Sequence, residues 1–375
     1  MVPVLGARLS AGLPDFPWDL LEPAKARAAA HPGGLVDLSI GTPVDPVPDV
    51  VRQALAGAAN APGYPLTAGT PALREAIESW VRRACAAAPG YGVLPTIGSK
   101  ELVAWLPTLL GIGPGDAVVI PRVCYPTYEV GVRLAGAAVI RSDSLTAVGP
   151  APVRLVWVNS PGNPTGRVLP ATHLRKVVDW ARERGAVVAS DECYLPLGWE
   201  STPVSVLSVC PDGYRNVLAV HSLSKRSNLA GYRAGFVAGD PSIVAELLAV
   251  RRHAGMMVPA PVQAAMVAAL GDESHVDAQR ERYGRRRALL REALLGAGFA
   301  IEHSEAGLYL WATRDEDCWS TVDWLAARGI LAAPGAFYGP TGTRHVRLAL
   351  TAPDERIQAA VDRLSAGAVI IRAAP

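Results

Sequence analysis

The sequence is poor in the features that mark several protein classes. It has no uninterrupted apolar run of membrane-spanning length, and its first residues, MVPVLGARLSAGLPDF, hold no apolar stretch of secretory length. Neither membrane insertion nor export by a leader is expected. The five cysteines, Cys85, Cys124, Cys193, Cys210 and Cys318, are odd in number and scattered. No disulfide framework and no zinc site follow from that spacing, and the thiols read as reduced core residues of a cytoplasmic protein. An excess of one charge is missing too: 36 Lys and Arg against 34 Asp and Glu leave a net +2. That balance gives no basis for binding nucleic acid or an anionic membrane. There is no internal repeat, and the alanine-rich patches Ala54–Ala61 and Ala84–Ala88 read as helix filler. What remains is a chain of 375 residues, half hydrophobic and 19% charged, with the composition of a soluble enzyme and enough length for two lobes.

The chemistry is densest in Ser222–Arg233, SLSKRSNLAGYR. The preceding NVLAVHS is an apolar run of strand length, so Lys225 is expected at or just past a strand's carboxyl end, the edge where open α/β sheets bind ligands. Ser222, Ser224 and Arg233 around it could hold a phosphate and leave the amine free to react.

Other candidates follow the chain. Residues 10–23 form a proline-rich arm anchored by Phe16 and Trp18. In VDLSIGTPVDP, Gly41 lets the backbone approach a ligand closely. Thr70 is a good N-cap with Pro71 at the first helical position, and Tyr64 lies in the loop before it. VLPTIGSKELVAWLPTLL reads as strand, turn and helix, with Ser99 as cap, Lys100 beside it, and free N–H groups that favour phosphate. Tyr125 follows a strand and offers a ring to stack on a flat face. Asn163 opens the turn Asn163-Pro164-Thr165-Gly166. Asp191 ends the apolar run AVVASD, where a carboxylate needs a cation, and Tyr194 follows three residues on. Arg347 sits in the apolar strand HVRLALTA and needs an anion or an outlet to water; its planar fork suits a carboxylate. Taken singly, each has an ordinary structural reading: a solvated loop for Lys225, turns for Gly41 and Asn163, a capped helix for Ser99, an acidic surface turn for Asp191, an edge-strand arginine for Arg347. The basic run ERYGRRRALLRE reads as a solvated helix face.

In order and spacing, these residues resemble the pattern of the class I/II, fold-type I aminotransferases that depend on pyridoxal phosphate, over essentially the whole chain. The resemblance implies an α/β fold. A large domain, 46–251, would hold a mainly parallel seven-stranded sheet flanked by helices. Residues 1–45 and 252–375 would form a smaller α+β domain. It implies that Lys225 forms the Schiff base with the cofactor and carries protons, and that Asp191 faces the ring nitrogen. Asn163 and Tyr194 would bind the phenolic oxygen, with Tyr125 on the ring face. Ser99, Lys100, Ser222, Ser224 and Arg233 would hold the phosphate, with Tyr64 reaching it from the other subunit of a homodimer. Arg347, with Gly41 and Asn163, would bind the substrate α-carboxylate, and Lys100 the distal end of the substrate. Within the family, the longer phrases LPDFPWDLLEPAKARAAAHPGG, PGYPLTAGTPALREAI and SLSKRSNLAGYRAGF are most similar to the succinyldiaminopimelate aminotransferases of lysine biosynthesis. That implies glutamate as amino donor and N-succinyl-2-amino-6-oxopimelate as acceptor. Shared cofactor residues leave open an aminotransferase for another amino acid or a β-lyase. A non-catalytic regulator fits less well, because a non-catalyst needs no arginine for an α-carboxylate.

Overall fold

The computed structural model describes residues 12–14 and 16–366. Its centre is a seven-stranded sheet made from the apolar runs of the first two-thirds of the chain. The strands are β2 (Gly92–Ile97), β3 (Ala117–Ile120), β4 (Ala138–Arg141), β5 (Val153–Asn159), β6 (Val187–Asp191), β7 (Val217–Ser222) and β8 (Ala234–Gly239), following a short β1 (Val36–Asp37). Their order is β2-β8-β7-β6-β5-β3-β4, and only β8 runs against its neighbours. Sequences such as VLAVHS lack in–out alternation because helices cover both faces, and all six residues of β7 are buried. The expected seven-stranded, mainly parallel sheet is therefore present.

Parallel pairing brings the carboxyl ends of β5, β6 and β7 to one edge. Asn159 stands in register with Asp191, and Asp191 with Val220 of β7. Three polar strand ends thus meet at a single rim.

A second core lies beside this rim. Strands β9 (Ala300–Ile301), β10 (Tyr309–Thr313), β12 (Ala333–Pro334) and β13 (Val346–Ala349) form an antiparallel sheet in the order β12-β13-β10-β9. Strand β1 pairs with β11 (Ile330–Leu331), which fastens the amino-terminal segment to this second core. Helices Glu22–Ala29, Ser274–Gly296, Cys318–Ala326 and Asp354–Ala366 cover it with Ala28, Tyr283, Leu290, Val322 and Ile357. The Ala260–Gly271 helix packs instead into the core of the large sheet through Ala265, Met266 and Ala269. Thr70 caps the Pro71–Ala84 helix as its sequence suggests, accepting the Leu73 N–H at 3.2 Å. Among the described residues no helix is long and apolar enough to cross a membrane.

Candidate active site

Where the rim of the large sheet meets the second core there is a cavity of about 310 Å³. Every residue expected at the site lines it except Tyr64, which is 98% exposed on the loop before Thr70.

Lys225 lies where the end of β7 turns into the short Leu223–Arg226 helix, and Ser222 caps that turn by accepting the Ser224 N–H at 3.1 Å. Burial holds the Lys225 amine below its ordinary proton affinity, and the nearby Arg347 and Arg233 charges push the same way. The amine donates to the Gly41 carbonyl. Gly41 is needed here for close approach: a Cβ at this position would collide with the Tyr309 ring and hydroxyl.

One end of the cavity is built for an anion. The Gly98–Leu109 helix points its first turn at it, and Gly98 takes φ +71° to start that turn. The Arg233 guanidinium lies against Gly98, where a Cβ would strike it. Arg233 itself holds φ 55°, a strained backbone for a bulky side chain, which aims it there. Lys100 is close enough that burial and the Arg233 charge lower its pKa. Among the described residues neither cation has a carboxylate partner, so two positive charges and a helix N-terminus converge with nothing to neutralise them. The expected cap at Ser99 is not formed. The helix begins one residue earlier with no side-chain cap, and the Ser99 hydroxyl accepts the Cys193 thiol at 3.3 Å. Ser99 thus faces the cavity within the first helical turn and does not cap the helix.

The opposite wall carries a buried carboxylate. Asp191 accepts the Tyr128 hydroxyl at 2.8 Å and the Cys193 N–H at 3.2 Å. Burial raises its pKa, and those two hydrogen bonds only partly offset that. No cation pairs with it among the described residues. The alternative of a surface acidic turn is ruled out, since Asp191 is 6% and Glu192 1% exposed.

Asn163 is set by its own loop. Its N–H donates to Asn159 Oδ1 at 2.7 Å, and Asn159 Nδ2 in turn donates to the Asp191 carbonyl at 2.8 Å. Arg347 Nη1 donates to Asn163 Oδ1 at 3.0 Å and Nη2 to the Ser39 carbonyl at 2.6 Å. Its guanidinium lies 4.0 Å from the Tyr309 ring centroid and 4.9 Å from that of Tyr338. Arg347 thus has neither an anion nor an outlet to water; its partners are neutral, and its buried Nε has none. Tyr125 is half-buried at the cavity wall, edge-on to Tyr128 at 5.9 Å. Tyr194 shares a 3.1 Å hydrogen bond with Tyr309.

The sequence reading missed Tyr128, Asn159 and Tyr309. Tyr128 lies three residues past Tyr125, in Y-P-T-Y, and Asn159 is the polar end of the apolar run before the Asn163 turn. Tyr309 leaves no signal beyond one aromatic in GLYLW.

These unmet demands form a consistent set: an anion beside Gly98, a cation opposite Asp191, a carboxylate at Arg347, and a reactive amine between them. A phosphorylated pyridine aldehyde meets the first two and gives the amine its partner, so the residues present fit pyridoxal phosphate. Comparison with known proteins points the same way. A family profile, aminotransferase class I and II, matches residues 34–364. A probable aminotransferase of Mycobacterium tuberculosis is 63% identical over 95% of this chain and 86% of its own length. The 4-dedimethylamino-4-oxo-anhydrotetracycline transaminase OxyQ of Streptomyces rimosus is 60% identical over 94% of this chain and 99% of its own. A solved structure, a probable N-succinyldiaminopimelate aminotransferase from Thermus thermophilus, superposes with a TM-score of 0.84 at 30% identity, covering 93% of this chain and 99% of that one.

Proposed function

The chain belongs to the class I and II aminotransferases, which use pyridoxal phosphate, and within that family we propose that it transfers an amino group from glutamate to N-succinyl-2-amino-6-oxopimelate. The observation that carries the reaction type is the convergence of Lys225, Asp191, Arg233 and Arg347 on one cavity, each lacking the partner its charge or reactivity requires. The acceptor is supported by the likeness to the Thermus thermophilus structure and by the amino-terminal phrases.

Pyridoxal phosphate, when bound, supplies an aldehyde that accepts the amino group and an electron-poor ring that draws charge from the substrate Cα. Asp191 would hold the ring nitrogen protonated, because a buried carboxylate gains most from a cation placed against it. Tyr128 keeps that carboxylate aimed. Asn163 and Tyr194 take the phenolic oxygen, and Tyr125 covers the ring face. The Ser99 turn, Ser222, Ser224 and Arg233 hold the phosphate, so the ring keeps its position while bonds change. Arg347 would take the α-carboxylate and hold the substrate in the cavity that Lys225 also lines. Lys225, its proton affinity lowered by burial, would take the substrate's Cα proton and hold it at Nζ. The homodimer, Tyr64 reaching the partner's phosphate, the cytoplasmic setting and a division into a large lobe 46–251 and a small lobe of 1–45 and 252–375 belong to the same reading, except that the Ala260–Gly271 helix packs with the large lobe.

The test is purified protein with glutamate and the succinylated keto acid, run beside its acetylated and unsubstituted analogues. The succinylated acceptor is expected to lead in kcat/KM by at least about tenfold, the discrimination one well-placed charge provides. Equal rates overturn the acceptor. Lys100→Ala should raise KM for that acceptor far more than for glutamate; equal effects assign Lys100 to the cofactor phosphate alone.

A second reading has its own support. Phe16 and Trp18, 5.7 Å apart, give the cavity an aromatic wall, and a relative at 60% identity is a transaminase of a tetracycline-type oxo compound. A polycyclic ketone belongs in the same assay. Faster turnover of that ketone replaces the first reading.

A further inference from the structure

Tyr309 has no part in the steps above, yet it lines the cavity. Strand register explains how it gets there. Tyr309 pairs with Ala349 and Trp311 with Arg347, so the period of two puts Tyr309 and Arg347 on one face of the small sheet. The hydroxyl of Tyr309 lies over the Gly41 Cα, and the carbonyl of that same Gly41 accepts the Lys225 amine. One residue therefore joins the two side chains. Tyr194 fixes the hydroxyl from the other side at 3.1 Å, and the Arg347 guanidinium lies 4.0 Å from the ring centroid.

We propose that Tyr309 is a positioning residue for Lys225: with the Gly41 carbonyl it forms the seat that holds the amine whenever the amine is not bonded to the cofactor. An amine that carries protons between two carbons must be freed and then return to the same place. A backbone carbonyl and a phenol, both rigid, hold it there more tightly than water would.

The surrounding charges support the role. The groups that act on this phenol are Tyr194, Cys193, Arg347 and Lys225, and Tyr125, Tyr283 and Tyr338 feel it in turn. Burial alone would raise the Tyr309 pKa, but the Arg347 and Lys225 charges hold it below the ordinary phenol value. Burial, with Tyr309 as neighbour, raises the Tyr194 pKa. The Tyr309 oxygen favours an ammonium at Lys225, where burial and the Arg347 and Arg233 charges oppose one.

The proposal rests on Lys225 being the lysine that bonds to the cofactor, and the two can fail separately. Borohydride reduction of the loaded enzyme followed by peptide mass spectrometry tests that premise. The seat itself is tested in cofactor-free enzyme by trace labelling of Lys225 with acetic anhydride across pH. Tyr309→Phe removes the oxygen that favours the ammonium. The labelling midpoint should fall by about one pH unit, making Lys225 about tenfold more reactive near neutrality. In the loaded enzyme kcat should fall more than KM for glutamate. Gly41→Ala keeps the hydroxyl but displaces it, and should shift the labelling midpoint in the same direction. An unchanged labelling profile in a folded Tyr309→Phe enzyme overturns the proposal and leaves Tyr309 as packing. If Tyr309→Phe does not fold, an unchanged profile in Gly41→Ala overturns it.

Discussion

Asp191 and Glu192 are adjacent, both buried, and face opposite sides of the same sheet rim. Asp191 opens into the cavity and accepts two hydrogen bonds, with no cation opposite. Glu192 turns into the core of the large sheet. There its Oε1 accepts the Ser190 hydroxyl at 2.9 Å and the Val206 N–H at 2.7 Å, while His221 stands 3.6 Å from its Oε2 and Cys85 3.6 Å beyond. Burial pushes the Glu192 pKa to about 7 and pulls His221 down to about 3, so on this blind face His221 is neutral and Glu192 sheds its charge as the pH falls. Two neighbouring carboxylates thus have different fates. One has an open cavity through which a bound cation can reach it. The other is enclosed, and a proton is the cheapest way to remove its charge.

The largest expected effect separates the two faces. Asp191→Asn should lower kcat by about 100- to 1,000-fold, as loss of one aimed electrostatic partner does, while Glu192→Gln, which keeps shape and neutrality, should stay within about threefold. Stopped-flow turnover of the two variants decides it, and comparable losses would break the distinction. Next in size is a pH effect confined to the blind face. The folded Glu192 pKa lies above its ordinary value, so its stabilising contribution is full below about pH 4.5 and is lost as pH rises through about 7. Thermal melts from pH 4.5 to 8 should therefore fall more steeply for the native chain than for Glu192→Gln. A parallel pair of curves would mean Glu192 ionises freely. Smaller again, Tyr128→Phe removes one hydrogen bond from the cavity carboxylate and should cost about tenfold in kcat with little change in fold, measured by the same kinetics and by circular dichroism. The smallest effect is expected for Cys85→Ala, which trims a buried thiol on the blind face. It should cost about 1 kcal/mol of stability in urea and leave kinetics untouched.

Much of the site was legible because it lies at strand ends and turns, where residue type and chain order both carry information. Lys225 after an apolar run, Asp191 at the end of another, and Asn163-Pro164-Thr165-Gly166 after a third all occupy the rim to which the sheet brings them. Ser99 was misread as a cap because a serine before a helix usually is one; the helix instead starts at the left-handed Gly98, with Ile97 in the cap position. Tyr309 was invisible for a different reason. In GLYLW it alternates like any core aromatic, and only its pairing with β13 brings it to Arg347 and Gly41.

The sequence alone determined the strands and helices, the order of the polar groups at their ends, and the family to which that order points, because backbone preference and hydrophobic pattern are local. Which of those groups share a cavity was decided only by the tertiary structure. Gly41, Asn163, Lys225 and Arg347 come from four distant parts of the chain, and only the docking of the second core against the sheet rim brings them together. The same docking left Asp191 facing space and Glu192 facing protein, and burial with or without an opening is what separates a functional charge from a silenced one.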